Sequence, residues 1–469
     1  MLFPTMAFAL FFLFVFVTAW SLERENWRRK AFLVLASWVF YGWWDWRFVG
    51  LLIASATMNW GIAELIDRSS KRRTRLWLVA LGVTVNLIVL GFFKYYGFFI
   101  DQLGAVLDLL HWKRDLPLLQ VVLPVGISFF TFQAISYVVD VHRGKCPKAR
   151  SLLDVMLLMS FFPHLVAGPI VRASDLLPQF NQTPRPWRGM IAQALLLIVW
   201  GLFKKTVIAS ELSIGLVDPV FFDPTTHGAL DLLAATYGYA VQIYCDFSAY
   251  SDIAIGVAAL LGYRFPRNFD QPYRAASLQD FWRRWHMSLS GWLRDYVYIP
   301  LGGGKGGLVG TCRNMMITML LGGLWHGASW TFVAWGALHG LVLCIERVWR
   351  AMKPVAWPTL PAWVGVIVTF HVVCLGWILF RSESFGLAMS FLEGFGRLGA
   401  PMTVATPFLV GLIAMGLAMH FLPPRLTEGT SSLLKYLPSP ALGVAVGLLM
   451  LAIEAVRPEG IAPFIYYQF

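Results

Sequence analysis

Apolar runs of membrane-spanning length recur along the 469-residue chain. The first run begins at Met1 and reads MLFPTMAFALFFLFVFVTAW, without a charged residue. A helix of about 20 apolar residues crosses the roughly 30 Å hydrocarbon core of a bilayer. Hydrophobic residues make up 58% of the chain and charged residues only 14%, well below the roughly 25% charged residues of soluble domains. The sequence therefore predicts an all-α polytopic membrane protein.

Basic residues are concentrated in short loops between the apolar runs. The chain has 38 Lys and Arg against 26 Asp and Glu, a formal net charge of +12. The richest loops are 24–30, 67–75 and 142–150. Because such loops stay in the cytoplasm, they predict a periplasmic N-terminus and membrane orientation rather than nucleic-acid binding. The first run has neither a basic n-region nor an A-x-A site, so we interpret it as a retained span.

The apolar runs together predict about 11 to 12 crossings. Their number is least certain between residues 150 and 350, where polar side chains interrupt them. We find no repeat and no second soluble domain, so we expect one integral membrane domain, 1–469. Its last span, 437–456, delivers the tail (457–469) to the periplasmic side. The tail ends with PFIYYQF.

Histidine is the residue type that the sequence favours for catalysis. The five cysteines are scattered without a C-x-x-C pair, which indicates neither a disulfide framework nor a metal site. His286, His326 and His339 lack the i, i+4 spacing of zinc ligands, so no bound metal is expected. A G-x-S-x-G element is also missing. Acid–base chemistry by histidine is what the sequence supports.

Residues 277–300 are too polar to span a membrane. Ser277 and Asp280 have the spacing of a capping box, which predicts a helix start. Wound at about 100° per residue, this helix has an aromatic face with His286 within about 40° of its centre. The other face carries Arg283, Arg284, Ser290, Arg294 and Asp295. The pattern predicts an in-plane amphipathic helix, and a plain membrane-surface anchor is the alternative.

A second histidine lies in LLGGLWHGASWTFVAWGALHG, between Trp325 and Gly327. An ionisable group at membrane depth is costly and is a functional candidate that faces a cavity. The alternative for His326 is a neutral imidazole hydrogen-bonded to a backbone carbonyl. His339, a little further along, illustrates that alternative.

Several longer motifs surround these histidines. They include LPVGISFFTFQAISYVVDVHRG, FFPHLVAGPIVR, YCDFSAYSDIAIG, NFDQPYRAASLQDFWRRWHMSLSGWLRDYVYIPLGG and RNMMITMLLGGLWHGASWTFVAWGALHG. Over about residues 1–350 the chain resembles the membrane-bound O-acyltransferases, in particular the bacterial group that acetylates exported polysaccharides such as alginate. The series FWRRWH, LRDY and WHG is the most specific part of this resemblance.

The resemblance implies both a fold and a reaction. The fold is a ring of tilted spanning helices, with in-plane amphipathic helices, around a central funnel and channel. The WHG histidine, His326, would be catalytic, and the FWRRWH histidine, His286, would be the second essential one. The implied donor is acetyl-CoA, and the implied location is the bacterial inner membrane. The implied partners are a periplasmic SGNH-hydrolase-type acetyltransferase, a polysaccharide synthase or export complex, and membrane lipid.

The tail gains an interpretation from the same resemblance. In the related teichoic-acid system, a separate one-span protein ends on an F-x-Y-x-x-F-like hexad whose tyrosine is thought to carry the acyl group. FIYYQF is similar, with Tyr466 in the tyrosine position, so the span and tail 437–469 would form a built-in acyl shuttle. Tyr467 departs from the pattern and leaves open which tyrosine acts. The alternative is an interfacial belt of aromatic residues.

These expectations define a mechanism. A tyrosine with a pKa near 10 is ionised in only about one molecule in a thousand at pH 7, so His326 would act as the base that activates Tyr466. His286 would polarise the thioester carbonyl or act as a second proton carrier. The cations expected to hold CoA phosphates, unless they are simply solvated, are Arg283, Arg284 and Arg294.

Four more residues are expected to line the channel: Asp246, Tyr250, Asp252 and Trp325. For the acidic pair and Tyr250, a structural polar network between helices is the favoured alternative. Two other function classes compete with the enzyme. A transporter or flippase for a polysaccharide precursor predicts paired broken helices in two halves and no thioester turnover. A non-catalytic scaffold of an export complex predicts that His326 and Tyr466 can be changed without loss of product acetylation. The sequence names neither the polymer nor the acyl group.

Overall fold

The computed structural model describes all of the chain except residues 2, 24–25, 113–118, 120, 167, 185–187, 353–360, 424–433, 435, 459, 461 and 466–469. Within the described part, every regular element is a helix and none is a strand. The predicted all-α class is therefore confirmed. The described residues group into two compact units, and the single domain predicted for 1–469 stays a prediction.

The first unit comprises residues 1–186 and 257–266. A buried ion pair, Lys30 Nζ to Asp154 Oδ1 at 2.6 Å, joins its second and sixth helices. Arg29 donates to the hydroxyl of Tyr263 at 2.8 Å. The helices of the first unit are α1 (Met6–Ser21), α2 (Asn26–Asp45), α3 (Arg47–Arg68), α4 (Arg72–Leu109), α5 (Ile127–His142), α6 (Leu152–Ser160), α7 (Phe162–Leu165) and α8 (Ala173–Phe180).

The second unit comprises residues 187–256 and 267–469. Its first helix, α9, continues through two π-helical turns, Lys204–Ala209 and Ser213–Val217, which widen the helix. The helices are α9 (Arg188–Phe203), α10 (Ser210–Leu212), α11 (Asp218–Phe222), α12 (Ala229–Leu260), α13 (Leu278–Arg284), α14 (Met287–Leu293), α15 (Gly307–His326), α16 (Trp330–Met352), α17 (Ala362–Arg381), α18 (Phe385–Gly394), α19 (Pro407–Ala418) and α20 (Ser439–Val456).

Seven helical segments among the described residues are long and apolar enough to cross a membrane. They are Arg47–Arg68, Arg72–Leu109, Arg188–Phe222, Ala229–Leu260, Trp330–Met352, Ala362–Arg381 and Ser439–Val456. Two shorter apolar helices, Met6–Ser21 and Pro407–Phe421, accompany them. The chain is thus a multi-pass membrane protein. The orientation of its termini stays a prediction.

The predicted helix start at Ser277 is confirmed, but the predicted continuous helix beyond it is wrong. The Ser277 hydroxyl accepts a hydrogen bond from the Asp280 N–H at 3.1 Å and caps α13. The chain then leaves the helix at Trp285, and His286 adopts a left-handed conformation with φ of 41° before α14 begins. A side chain with positive φ is strained unless its surroundings fix it. The periodicity that placed residues on two faces therefore does not extend across His286.

Helices α15 and α16 form a closely packed hairpin. A Cβ at Gly323 would collide with the carbonyl of Phe332, and a Cβ at Gly336 would collide with the carbonyl of Met319. Only glycine allows the two backbones to approach this far. Since His326 is the last residue of α15, this packing fixes its position.

Candidate active site

His286 is held by one asparagine that comes earlier in the chain. Its Nδ1 lies 3.2 Å from Oδ1 of Asn268. The same oxygen accepts the Ser288 N–H at 3.1 Å and the Ser288 hydroxyl at 2.9 Å. Because a backbone N–H can only donate, it identifies this Asn268 atom as the acceptor oxygen. Nδ1 of His286 therefore carries the hydrogen, and Nε2 is the acceptor.

The surroundings of the His286 imidazole disfavour its charged form. The residue is fully buried, and this desolvation lowers the pKa of His286 to about 3 because the charged form is disfavoured. Aromatic rings enclose it. The centroid of Phe247 lies 4.6 Å from the imidazole centroid, and that of Trp325 lies 5.8 Å away. With the hydrogen on Nδ1, Nε2 is available as a hydrogen-bond acceptor.

His326 lies beside the same indole. The Trp325 and His326 ring centroids are 5.0 Å apart. Trp335 and Phe380 pack against the other edges of His326, each at 5.0 Å. The fold thus brings His286 and His326, which are 40 residues apart in sequence, to one tryptophan. This is the pair of histidines expected to form the site.

His339 lies one ring further out. Its imidazole packs against Trp335 at 4.6 Å and Trp282 at 5.3 Å. Neither ring nitrogen has a hydrogen-bond partner among the described residues. Within the described part of the chain, His339 is therefore packed among aromatic rings without the backbone hydrogen bond that the structural alternative expects. No group of three His, Cys, Asp or Glu side chains arranged for a metal ion occurs in the described residues.

The acidic residues of α12 form ion pairs with two neighbouring lysines. Asp246 Oδ1 lies 2.8 Å from Lys205 Nζ, and Asp252 Oδ2 lies 2.6 Å from Lys204 Nζ. Lys204 also donates to the Ser248 hydroxyl at 2.7 Å. This arrangement is the polar network between helices that the sequence left as the alternative to a channel. The sequence analysis missed both lysines as partners, although their position inside an apolar run was a signal.

Three residues of the described tail, Ala462, Phe464 and Ile465, are buried in the second unit, whereas Pro463 is exposed. Phe464 and Ile465 are each only 1% exposed. The Phe464 ring lies 4.1 Å from that of Tyr250 and 6.0 Å from that of Phe247, which in turn contacts His286. A belt at the membrane surface would leave these aromatics exposed, so the belt does not describe Phe464. Tyr466 itself lies outside the described residues.

The three arginines expected to bind CoA differ in their surroundings. Arg284 is half-buried and pairs with Asp280 at 3.0 Å and with Asp270 at 3.5 Å. The Arg294 side chain is 64% exposed and contacts Asp295 at 2.7 Å. Arg283 is exposed and forms no ion pair within the described residues. Only Arg283 and Arg294 therefore present an accessible guanidinium.

The sequence matches a known family over half of its length. Residues 147–389 match the model of MBOAT, the membrane-bound O-acyltransferase family. A probable alginate O-acetylase from Azotobacter vinelandii is 36% identical over the whole of both chains. A peptidoglycan O-acetyltransferase from Helicobacter pylori is 36% identical over 78% of this chain and 73% of its own. A teichoic acid D-alanyltransferase from Streptococcus thermophilus is 29% identical over 55% of this chain and 68% of its own.

Proposed function

Because the chain belongs to the membrane-bound O-acyltransferase family and is therefore an O-acyltransferase, we propose that it carries acetyl groups across the inner membrane. Acetyl-CoA in the cytoplasm is the donor, and an exported polysaccharide is the final acceptor. The relatives named for alginate and peptidoglycan acetylation support a polysaccharide, and a cellulose-like polymer fits the same chemistry. Both termini of the chain then lie in the periplasm.

The course of the tail is the observation that carries this proposal. Ala462, Phe464 and Ile465 are buried in the second unit, and a continuous set of rings leads from Phe464 through Phe247 to His286. The next residue in sequence is Tyr466. A tail that only anchored the protein would not need buried ring contacts that lead to His286.

The first acetyl transfer needs only acetyl-CoA, Tyr466 and His326. His326 takes the phenolic proton as the Tyr466 oxygen attacks the thioester carbonyl, so the costly free phenolate is avoided. The carbon–sulfur bond breaks, the proton passes to the CoA thiolate, and acetyl-tyrosine forms. A periplasmic SGNH-hydrolase-type acetyltransferase, with the polysaccharide synthase or export complex, then moves the acetyl to a sugar hydroxyl. Tyr466 is thereby restored.

His286 supports this chemistry as a proton carrier. An oxyanion partner must donate a hydrogen bond, yet the Asn268 contact places the hydrogen of His286 on Nδ1. Nε2 is left to accept. The role of second proton carrier therefore fits better than polarisation of the carbonyl.

The donor site uses the accessible cations. A CoA phosphate needs guanidinium groups that are not already neutralised. Arg283 meets this condition, and Arg294, although it pairs with Asp295, is more exposed than Arg284, which faces both Asp280 and Asp270. We assign the phosphates to Arg283 and Arg294.

The proposal is tested by mass spectrometry of the tail. Purified protein is incubated with acetyl-CoA and digested, and the peptide that contains Tyr466 is examined for an added acetyl group. We expect the adduct in the wild type and in Tyr467→Phe, and its loss in Tyr466→Phe. CoA release without a tail adduct would retain the acyltransferase but remove the shuttle. If the protein shows no CoA release and no adduct, the result favours the polysaccharide-precursor transporter.

Asn268→Leu is expected to slow CoA release by about 10-fold to 100-fold, since small misplacements of a catalytic group have effects of this size. The substitution removes the acceptor that fixes the tautomer and orientation of His286. Asn268→Asp keeps an acceptor oxygen and should recover most of the rate. Equal losses in both variants, measured as initial rates of thiol release, would contradict a positioning role for Asn268.

A further inference from the structure

Three buried side chains hold the backbone of the tail. The Ser210 hydroxyl accepts from the Ala462 N–H at 3.3 Å. Lys205 Nζ donates to the Pro463 carbonyl at 3.3 Å. Asp246 Oδ2 accepts from the Ile465 N–H at 2.9 Å. We call Lys205, Ser210 and Asp246 the tail latch.

The charged members of the latch need an explanation beyond stability. Lys205 and Asp246 form an ion pair whose side chains are 1% and 3% exposed. Desolvation of two such charges offsets much of their attraction, so a buried pair is weak evidence for stability. Here each partner uses its remaining hydrogen-bonding capacity on the tail. Hydrogen bonds to charged groups are stronger than those between neutral groups.

The hydrogen bonds of the latch to the described tail residues go to main-chain atoms, which almost any residue offers. The Phe464 ring, packed against Tyr250 and Phe247, identifies which residue meets each latch group, and the latch holds the main chain there. The last latched N–H belongs to Ile465, and Tyr466 follows immediately. We propose that the Lys205–Asp246 pair is a positioning device that sets the register of the tail, so that Tyr466 rather than Tyr467 is presented for acylation. This inference rests on the proposed function.

The neighbouring ion pair provides a matched control. Lys204 and Asp252 lie on the same two helical segments as Lys205 and Asp246. They also form a Lys–Asp pair. Neither has a hydrogen bond or ion pair with residues 462–465, so removing this second pair leaves the tail contacts intact.

The first experiment measures docking of the tail by hydrogen exchange of the full chain in nanodiscs. Lys205→Met/Asp246→Leu removes both latch charges without leaving one buried alone. We expect the Ile465 amide to exchange at least about 10-fold faster than in the wild type, because the loss of one such bond is worth 1.4 kcal/mol or more. Lys204→Met/Asp252→Leu should leave Ile465 exchange unchanged. Unchanged exchange in the latch variant would overturn the proposal.

The second experiment tests register and does not depend on core substitutions. One alanine inserted between Ile465 and Tyr466 leaves the latch contacts in place and moves the tyrosine by up to about 3.6 Å. We expect wild-type protection of Ile465 together with a roughly 100-fold slower appearance of the acetyl adduct on Tyr466.

The outcomes separate the latch from the shuttle. If the wild-type tail takes acetyl and the inserted variant takes it equally fast on the same tyrosine, the latch fails as a positioning device and the shuttle stands. If the wild-type tail never takes acetyl while Ile465 is protected, the shuttle fails, and the positioning role fails with it. Monodisperse elution of each variant confirms that the comparison is between folded proteins.

Discussion

His326→Ala is expected to slow CoA release and tail acetylation by about 10²-fold to 10⁴-fold, the contribution typical of general base catalysis. The imidazole is buried between Trp325, Trp335 and Phe380, so water cannot readily replace it as the base. The tail peptide should therefore remain unmodified on the time scale at which the wild type is fully acetylated. Stopped-flow detection of released thiol and mass spectrometry of the peptide measure the two steps together.

His339→Gln is the matched control for His326→Ala. It also changes a buried histidine, and that histidine packs against the same Trp335. His339 does not belong to the pair of histidines that contacts Trp325. We expect the rate of CoA release by His339→Gln to stay within about threefold of the wild type, as for an ordinary core substitution. A comparable loss in both variants would show that the rate depends on packing of this region and would remove the case for His326 as the base.

Gly336→Leu is expected to prevent formation of the α15–α16 hairpin. The new side chain would meet the Met319 backbone directly, and a backbone carbonyl cannot move aside as a flexible side chain can. Overpacking a core costs about 1–3 kcal/mol and sometimes more, which is a large fraction of the roughly 5–15 kcal/mol that stabilises a typical domain. We expect little or no monodisperse protein after extraction. Yield and the thermal unfolding midpoint in detergent measure the effect.

Gly310 offers the control, since it lies on α15, the partner helix in the same hairpin, and a Cβ there meets nothing within 4 Å. Alanine should act in opposite directions at the two positions. Gly310→Ala should stabilise by about 0.4–1 kcal/mol, because alanine favours the helix, whereas Gly336→Ala should destabilise. The same sign at both positions would contradict the close approach of the two helices.

Local features of the sequence predicted much of the fold. Apolar runs located the helices, and the Ser277 cap marked the start of α13. The break at His286 was missed because its left-handed backbone depends on Asn268, which is 18 residues away in sequence. Helical periodicity alone extends through such a position. No local signal reports a distant acceptor.

For the candidate site, too, the sequence predicted individual residues but not the contacts between distant ones. Sequence reasoning selected His286 and His326, and the fold places both at Trp325; their chemical roles stay predictions. The pairing of Lys204 with Asp252 and of Lys205 with Asp246 was missed. Two consecutive lysines on a regular α-helix point about 100° apart, and the wider π-helical turn at Lys204–Ala209 narrows that angle. Sequence periodicity does not reveal such turns.

Helix α20 has no buried side chain along its described length, while Ala462, Phe464 and Ile465 beyond it are buried. A helix of this kind can tilt or rotate among lipids without disturbing the core. Withdrawal of the tail would then disrupt little beyond the few contacts at residues 462–465. The tail is thus held in place at residues 462–465, while α20, which precedes it, is free to move. Substitutions that fix α20 against its neighbours should leave acetylation of the tail intact but slow the re-docking of the tail for another cycle.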